Sequence, residues 1–182
     1  QRRAKEQFLD TARNGLEALS KVNDPDAEPD PKLAEAHLRL AKHLYRLGNV
    51  LSALKEYDVA LSVYDRALTL RPHDRKLQLK PEETVTDQAM IGWVNDPAAT
   101  CSTLKKSIVR LEAMVGQDSQ DSSARELLGK CSRFLGQYLL EAKDLEGAAE
   151  AIERALVLFR QLSREQEDSP EPKLALAGTL LA

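Results

Sequence analysis

The amino-acid sequence predicts an all-α protein whose helices pair as antiparallel hairpins. Leu and Ala dominate the composition while Val and Ile are few, which favours helix over strand. Apolar residues recur at helical spacing along most of the chain, and no segment shows the strict alternation of a half-buried strand. Hydrophobic residues make up 42% of the chain and charged residues 30%, so we expect a folded domain with a sizeable core.

Three helices are predicted in the first 70 residues. The first covers about residues 2–21 and stops at an acidic, proline-rich loop at 23–31. The second runs from Pro31 to Leu47, with proline in the first turn, where its missing N–H is not needed. Gly48-Asn49 indicates a turn or a tight bend, and the third helix follows at about 53–70.

The rest of the chain predicts a less regular helix pair and then a long hairpin. Pro81 is expected to open a short helix that ends near Trp93, and Asp96 is a plausible N-cap for a helix at 97–115. A loop at 116–123 then precedes two long helices at 123–142 and 145–165. A second acidic loop, at 167–172, leads into a last helix.

A fixed spacing of small and large residues occurs twice. Gly48 is followed by Ala60, Tyr64, Ala67 and Pro72, and Gly136 is followed at the same first three intervals by Ala148, Ile152 and Ala155. Gly and Ala are small enough to let two helices approach closely where they cross. We therefore expect each Gly on the first helix of a hairpin and the two Ala on one face of the second.

This spacing resembles the tetratricopeptide repeat (TPR). Residues 41–74 match the family pattern over 34 residues, with Leu44 where the family prefers Trp and Leu51 where it prefers Tyr. Residues 129–162 match without the closing Pro. The longer units, about 40 residues each, resemble the extended repeats of kinesin light chains and of bacterial signalling proteins. The resemblance implies a right-handed superhelical solenoid that acts as a scaffold or adaptor for other proteins.

The resemblance divides the chain, taken as one solenoid fragment over 1–182, into five parts. These are the second helix of a preceding repeat, a clear repeat, a degenerate helix pair, a second clear repeat and a truncated first helix: 1–22, 31–74, 75–122, 123–166 and 172–182. The last part is expected to leave leucines exposed and to favour self-association. Those leucines are Leu174, Leu176, Leu180 and Leu181.

No group of residues predicts catalysis, a metal or a cofactor. His37, His43 and His73 are scattered and are expected at the surface or half-buried, and no HExxH, GxSxG or phosphate-binding loop occurs. Cys101 and Cys131 are too isolated for a disulfide framework or a zinc site, so we expect two buried or half-buried thiols. The sequence therefore predicts a protein that is not an enzyme.

Charge and hydropathy argue against nucleic-acid and membrane partners. The formal net charge is −3, whereas nucleic-acid binders show a clustered basic excess. No apolar run approaches the roughly 20 residues that span a bilayer, and the first residues lack the apolar core of a signal peptide. With thiols that need a reducing compartment, the expected location is the cytoplasm.

Two polar stripes are the candidate peptide-binding surface. Each has one Lys, one Arg, one aromatic residue and one amide at i, i+3, i+4 and i+7: Lys42, Tyr45, Arg46 and Asn49, then Lys130, Arg133, Phe134 and Gln137. The resemblance implies that such positions line a concave groove. In the co-chaperone branch a clamp of Lys, Asn and Arg there holds a terminal carboxylate, and Lys42, Arg46 and Asn49 match part of it.

Three interpretations of the stripes remain open. The clamp is spread over three repeats in that branch and is not fully reproduced here, so a basic groove for acidic or extended peptides is the broader expectation. A solvated face without a ligand is the alternative at the level of the surface. At the level of the whole protein, the alternative to a scaffold is a regulatory or spacer array inside a larger signalling enzyme.

Overall fold

The structure is a computed structural model that describes residues 11, 14–15, 29–166 and 170–180. Within this part the secondary structure is helical and no strand occurs, so the predicted all-α helical-repeat fold is confirmed. Thr11, Asn14 and Gly15 are helical. The remainder of the helix predicted at 2–21, most of the loop at 23–31, and Leu181 lie outside the described residues.

Seven helices are described in full and are numbered here in chain order. They are α1 (Pro31–Arg46), α2 (Val50–Leu70), α3 (Arg75–Gly92), α4 (Pro97–Gln117), α5 (Ser122–Glu141), α6 (Leu145–Glu165) and α7 (Pro170–Leu180). The chain divides into two compact units, Gln1–Thr84 and Val85–Ala182.

Side-chain caps set where helices α1 to α6 begin. In each case an Asp or Asn carbonyl or carboxylate oxygen accepts a hydrogen bond of 2.9 to 3.4 Å from a backbone N–H two or three residues later. The capping residues are Asp30, Asn49, Asp74, Asp96, Asp121 and Asp144. Such caps are each worth about 1 kcal/mol. The predicted cap at Asp96 is confirmed.

The first unit is built on the packing of α1 against α2. Ala34 of α1, Tyr64 and Ala67 of α2 and Leu77 of α3 belong to one buried cluster. Ala60 and Ala67 have no exposed surface, as the repeat pattern predicts. His37 was expected at the surface or half-buried, but it is buried. Its Nδ1 lies 2.7 Å from the buried Oε2 of Glu56, which gives the imidazole a polar partner inside the hairpin.

The first hairpin turn lies at residues 47–49, which confirms the predicted turn at Gly48-Asn49 and corrects the expectation that Gly48 lies on the first helix. Helix α1 ends at Arg46, and Gly48 has a left-handed φ of +80°. The N–H of Gly48 donates to Tyr45 O (2.8 Å) and that of Asn49 to Leu44 O (2.9 Å). Gly48 is therefore in the turn, not on the first helix, because glycine takes a left-handed φ without steric cost.

The second hairpin, α5 with α6, repeats this turn at residues 142–144. Lys143 has φ +64°, its N–H donates to Leu140 O (3.0 Å), and the N–H of Asp144 donates to Leu139 O (2.9 Å). The matching bonds make Gly48 and Lys143 structurally equivalent. That equivalence is an offset of 95 residues (143 − 48), whereas the sequence motif pairs Gly48 with Gly136, an offset of 88 (136 − 48).

The sequence permits both offsets because small residues recur every seven positions along α2. Ala53, Tyr57 and Ala60 have the same spacing as Ala60, Tyr64 and Ala67. By the turn geometry, Gly136 corresponds to Ala41, which is also fully buried. The spacing alone is therefore satisfied twice, and the position of the turn decides between the two.

In the second hairpin the motif glycine does lie where the helices cross, as predicted. A Cβ on Gly136 would stand 2.6 Å from Ile152 Cγ1 and 3.2 Å from the carbonyl oxygen of Ala148. Only a residue without a side chain allows this approach of α5 to α6. Further along α6, Phe159 and Leu162 are buried with Ala155, and Ala175 and Leu176 of α7 pack against them.

Three further predicted boundaries are wrong. Helix α3 begins at Arg75, six residues before Pro81, because Asp74 caps it and Leu77 is buried in the first unit's core. Helix α4 continues through Gly116 to Gln117, where a loop was predicted. Helix α7 begins at Pro170, inside the predicted acidic loop, and buries Pro172. Proline within a first helical turn costs no backbone hydrogen bond.

Candidate functional site

The candidate site in the second unit is the one incompletely buried stripe of α5. Buried residues occupy most of this helix, including Leu128, Cys131, Leu135 and Leu139. The predicted stripe residues Lys130, Arg133, Phe134 and Gln137 are all half-buried instead. They therefore form a continuous strip at helical spacing that solvent and a ligand can reach.

Arg133 is the most distinctive residue of this strip. Its guanidinium carbon lies 4.4 Å from the centroid of the Phe134 ring, a cation–π contact. Its Nε is buried and has no hydrogen-bond partner among the described residues. Burial lowers the pKa of the guanidinium, and no described carboxylate pairs with it. Lys130, one turn earlier, forms an ion pair of 2.5 Å with Glu126.

The strip continues into a stack of aromatic rings that sequence reasoning missed. Phe134 stacks with Tyr138 at 6.3 Å between ring centroids, and Trp93 lies nearly parallel to Tyr138 at 4.2 Å. The Tyr138 hydroxyl donates to the carbonyl oxygen of Ala89 (2.7 Å), and burial raises the pKa of Tyr138 to about 12. Neutral Tyr138 and the rings beside it hold Phe134, and hence Arg133, in position.

The predicted stripe of the first unit lies at the end of α1. Lys42, Tyr45 and Arg46 are exposed, and Lys42 also makes an interaction within the chain. Asn49 lies in the turn, where its side chain caps α2 through Ser52 N at 3.4 Å. This cap uses the side-chain oxygen of Asn49, whereas a carboxylate would accept from its NH2 group, so the clamp role of Asn49 stays a prediction.

The two stripes are not at equivalent positions, which corrects the predicted correspondence. With the offset of 95 residues, the counterparts of the α5 strip are Glu35, Leu38, Arg39 and Lys42. Only Lys42 belongs to both sets. Sequence reasoning missed the other three because it paired the two stripes through Gly48 and Gly136, an offset of 88 residues, although it had placed the helices of the first hairpin correctly. The Gly48-Asn49 pair, a strong turn signal, was the feature that could have identified them.

Other buried polar groups of the second unit join neighbouring helices. The Thr86 hydroxyl lies 3.2 Å from Cys131 Sγ, and the Ser107 hydroxyl lies 3.6 Å from the same sulfur. This cluster links α3, α4 and α5. Cys131 is buried and Cys101 half-buried, both as free thiols, as predicted. Among the described residues no group of His, Cys, Asp and Glu could hold a metal ion.

A carboxylate–guanidinium pair closes the open end of the α5–α6 hairpin. Arg125, buried at the start of α5, donates from Nη1 and Nη2 to the two carboxylate oxygens of Glu165 at 2.8 and 2.6 Å. This hydrogen bonding holds the pKa of the Glu165 carboxyl below its ordinary value.

Of the helices in the described part of the chain, none is long and apolar enough to cross a membrane.

Comparison with known proteins found two similarities. The model of the tetratricopeptide repeat family matches residues 41–74. A solved structure described as "MamA RS-1 ArsTM double mutant" aligns with 88% of this chain and 97% of its own, at 18% identity and a TM-score of 0.33. No curated protein matches the chain.

Proposed function

We propose that this chain, which matches the tetratricopeptide repeat family at residues 41–74, is a protein-interaction scaffold that binds an acidic or extended peptide along the α5 strip. Arrays of this repeat generally mediate contacts between proteins, and the strip is the concave face in this proposal. The observation that carries the proposal is Arg133, a half-buried guanidinium on an aromatic ring without a carboxylate partner among the described residues.

The chemistry of the strip favours a carboxylate-bearing ligand. A guanidinium presents several N–H donors in a planar fork that matches a carboxylate. Because Phe134 and the rings behind it fix the arginine, less side-chain entropy is lost on binding. Gln137, one turn further on, offers amide groups to an extended peptide backbone.

The test uses partners captured by the purified chain and identified by mass spectrometry, followed by calorimetry on the captured peptide segment. Arg133→Gln should weaken binding at least tenfold. Arg160→Gln, on the exposed surface of α6, should leave the affinity unchanged. Added salt should weaken the wild-type complex, since exposed charges are screened. Equal affinities for the two variants would contradict the proposal.

The first unit is tested separately with the double variant Lys42→Glu/Arg46→Glu. If the exposed end of α1 also contacts the peptide, this variant should weaken binding. The loss of affinity should be larger at lower salt, where the charges are screened less. Unchanged binding would confine the peptide to the α5 strip.

A further inference from the structure

Four exposed apolar side chains of the second unit lie in or beside its α3–α4 and α5–α6 connections. Val94, which follows α3, is 87% exposed, and Leu145, the first residue of α6, is 66% exposed. Met90 and Leu140 are also large, apolar and exposed. These four residues come from only two short segments, 90–99 and 138–147, which contain the α3–α4 and α5–α6 connections.

Direct contacts bring the two segments together. Trp93 stacks on Tyr138 with an angle of 7° between the rings, and its Nε1 donates to Glu141 Oε2 at 2.5 Å. Val94 and Leu140 are the chain neighbours of this bonded pair. The loop after α3 therefore lies against the last turn of α5, with its apolar side chains left in solvent.

The same two segments carry an excess of negative charge. The segments 90–99 and 138–147 contain Asp96, Glu141, Asp144 and Glu146 against a single base, Lys143, for a net charge of −3 (1 − 4). The α5 strip, with Lys130 and Arg133, has the opposite sign. The two surfaces therefore suit different partners.

We propose that this part of the second unit is a docking site for a basic amphipathic helix of a partner protein. The site, called the Trp93 surface below, comprises Met90, Trp93, Val94, Leu140, Glu141 and Leu145. Apolar residues of the partner cover Val94 and Leu145, and its Lys or Arg side chains meet Glu141 and Glu146. This site is additional to the proposed peptide strip and does not depend on it.

Two physical arguments select this occupant. Exposed apolar side chains close to one another on a folded protein mark an interaction site, and the acidic residues beside them attract and orient a basic partner. A symmetric dimer would place the same acidic patch against itself, because the contacts of a two-fold interface are self-complementary. Like-charge repulsion therefore disfavours a second copy of this chain.

The test uses the fluorescence of Trp93, which is the only tryptophan of the chain. Two synthetic helical peptides serve as probes; both carry Leu at i, i+3, i+4 and i+7, and their polar faces are either all Lys or all Glu. The Lys peptide should shift Trp93 emission saturably. The Glu peptide should bind at least tenfold more weakly, and equal binding of the two would overturn the proposal.

Matched variants distinguish a specific site from nonspecific hydrophobic binding. Val94→Ser with Leu145→Ser should weaken the Lys peptide at least tenfold, whereas Val109→Ser with Val157→Ser removes two other exposed valines and should have no effect. All four side chains are exposed, so each variant should retain the wild-type circular dichroism. Equal losses in the two double variants would overturn the proposal.

Charge neutralisation supplies the second readout. Glu141→Gln keeps an acceptor for Trp93, and combined with Glu146→Gln it should weaken the Lys peptide. Glu150→Gln with Glu153→Gln on the exposed part of α6 makes the same change in net charge and should leave binding unaltered. Val94→Ser should leave the sedimentation of the chain alone unchanged at every concentration. A dimer abolished by the Val94→Ser change would assign the surface to a second copy and overturn the proposal.

Discussion

Substitutions at Gly48 test the position of the first hairpin turn, because each possible role of this residue predicts a different order of stability. In the structure Gly48 has φ +80°, and a Cβ added there would meet nothing within 4 Å. Its effect on stability should therefore come from backbone conformation alone. We expect the order Gly, then Asn, then Ala, since Asn tolerates the left-handed region better than Ala.

The expected magnitude follows from two opposing terms. A left-handed φ costs a residue with a Cβ roughly 1–2 kcal/mol. Ala also restricts the unfolded chain, which returns about 0.4–1 kcal/mol. Gly48→Ala should therefore lose about 1 kcal/mol net, with Gly48→Asn in between. For a chain of this size that loss lowers the Tm by about 2–4 °C.

The assay is urea unfolding and thermal melting followed by circular dichroism. If Gly48 instead packed against α2, the stability of the variants would fall with side-chain volume, and Gly48→Ala would be more stable than Gly48→Asn. A helix-interior position in open space would make Ala more stable than Gly by about 1 kcal/mol. If Gly48→Ala proves more stable than Gly48→Asn, the turn at residues 47–49 is wrong.

Two other positions act as controls within the same chain. Gly116 lies in α4 with open space around it and an ordinary helical φ, so Gly116→Ala should stabilise the protein. Lys143 occupies the position equivalent to Gly48 with φ +64°. Lys143→Gly should stabilise by about 0.5–1 kcal/mol, because it removes left-handed strain at a smaller entropic cost.

The remaining predictions concern the packing and the ion pair of the hairpins. Gly136→Val should cost roughly 1–3 kcal/mol of unfolding free energy from the clash with Ile152 and should be partly rescued by Ile152→Ala in a double-mutant cycle. Ala67→Glu should unfold the first unit, since a buried unpaired charge costs several kcal/mol, and wild-type stability by circular dichroism would contradict this. Glu165→Gln should lower stability in urea at neutral pH. The lowered pKa of Glu165 means that its pairing with Arg125 is complete above the unfolded pKa and is lost as the pH falls through the folded value. The variant and the wild type should therefore converge in acid, and a constant difference at all pH values would contradict the assignment.

Local chemistry accounts for what could be predicted about the helices. Helix α6 has the predicted bounds, and α1, α4 and α5 begin or end within two residues of theirs, because proline, capping side chains and apolar spacing act over a few residues. The start of α3 was missed since Pro81 is a strong local signal, whereas the burial of Leu77 that favours an earlier start involves α1 and α2.

The candidate strip on α5 was predicted as a set of residues, but its structural meaning was not. Spacing placed Lys130, Arg133, Phe134 and Gln137 on one helical face, which any α-helix guarantees. That Arg133 rests on Phe134 without a described carboxylate partner depends on which groups surround it in space. Trp93, 45 residues before Tyr138 in the chain, gave no sequence signal of the stack it forms.

The sequence by itself determined the helical class, the repeated spacing of small residues and the close approach at Gly136, because each depends on residue size and spacing within one hairpin. The sequence left Gly48 both as a turn residue and as a first-helix residue of the repeat motif, and only the tertiary structure decided between the two. The spacing of Ala53, Tyr57 and Ala60 recurs seven residues later, close to two full helical turns, so both registers present the same small and large residues to the neighbouring helix. The left-handed turn at Gly48, set by its backbone bonds to α1 and by the Asn49 cap of α2, selects one of them.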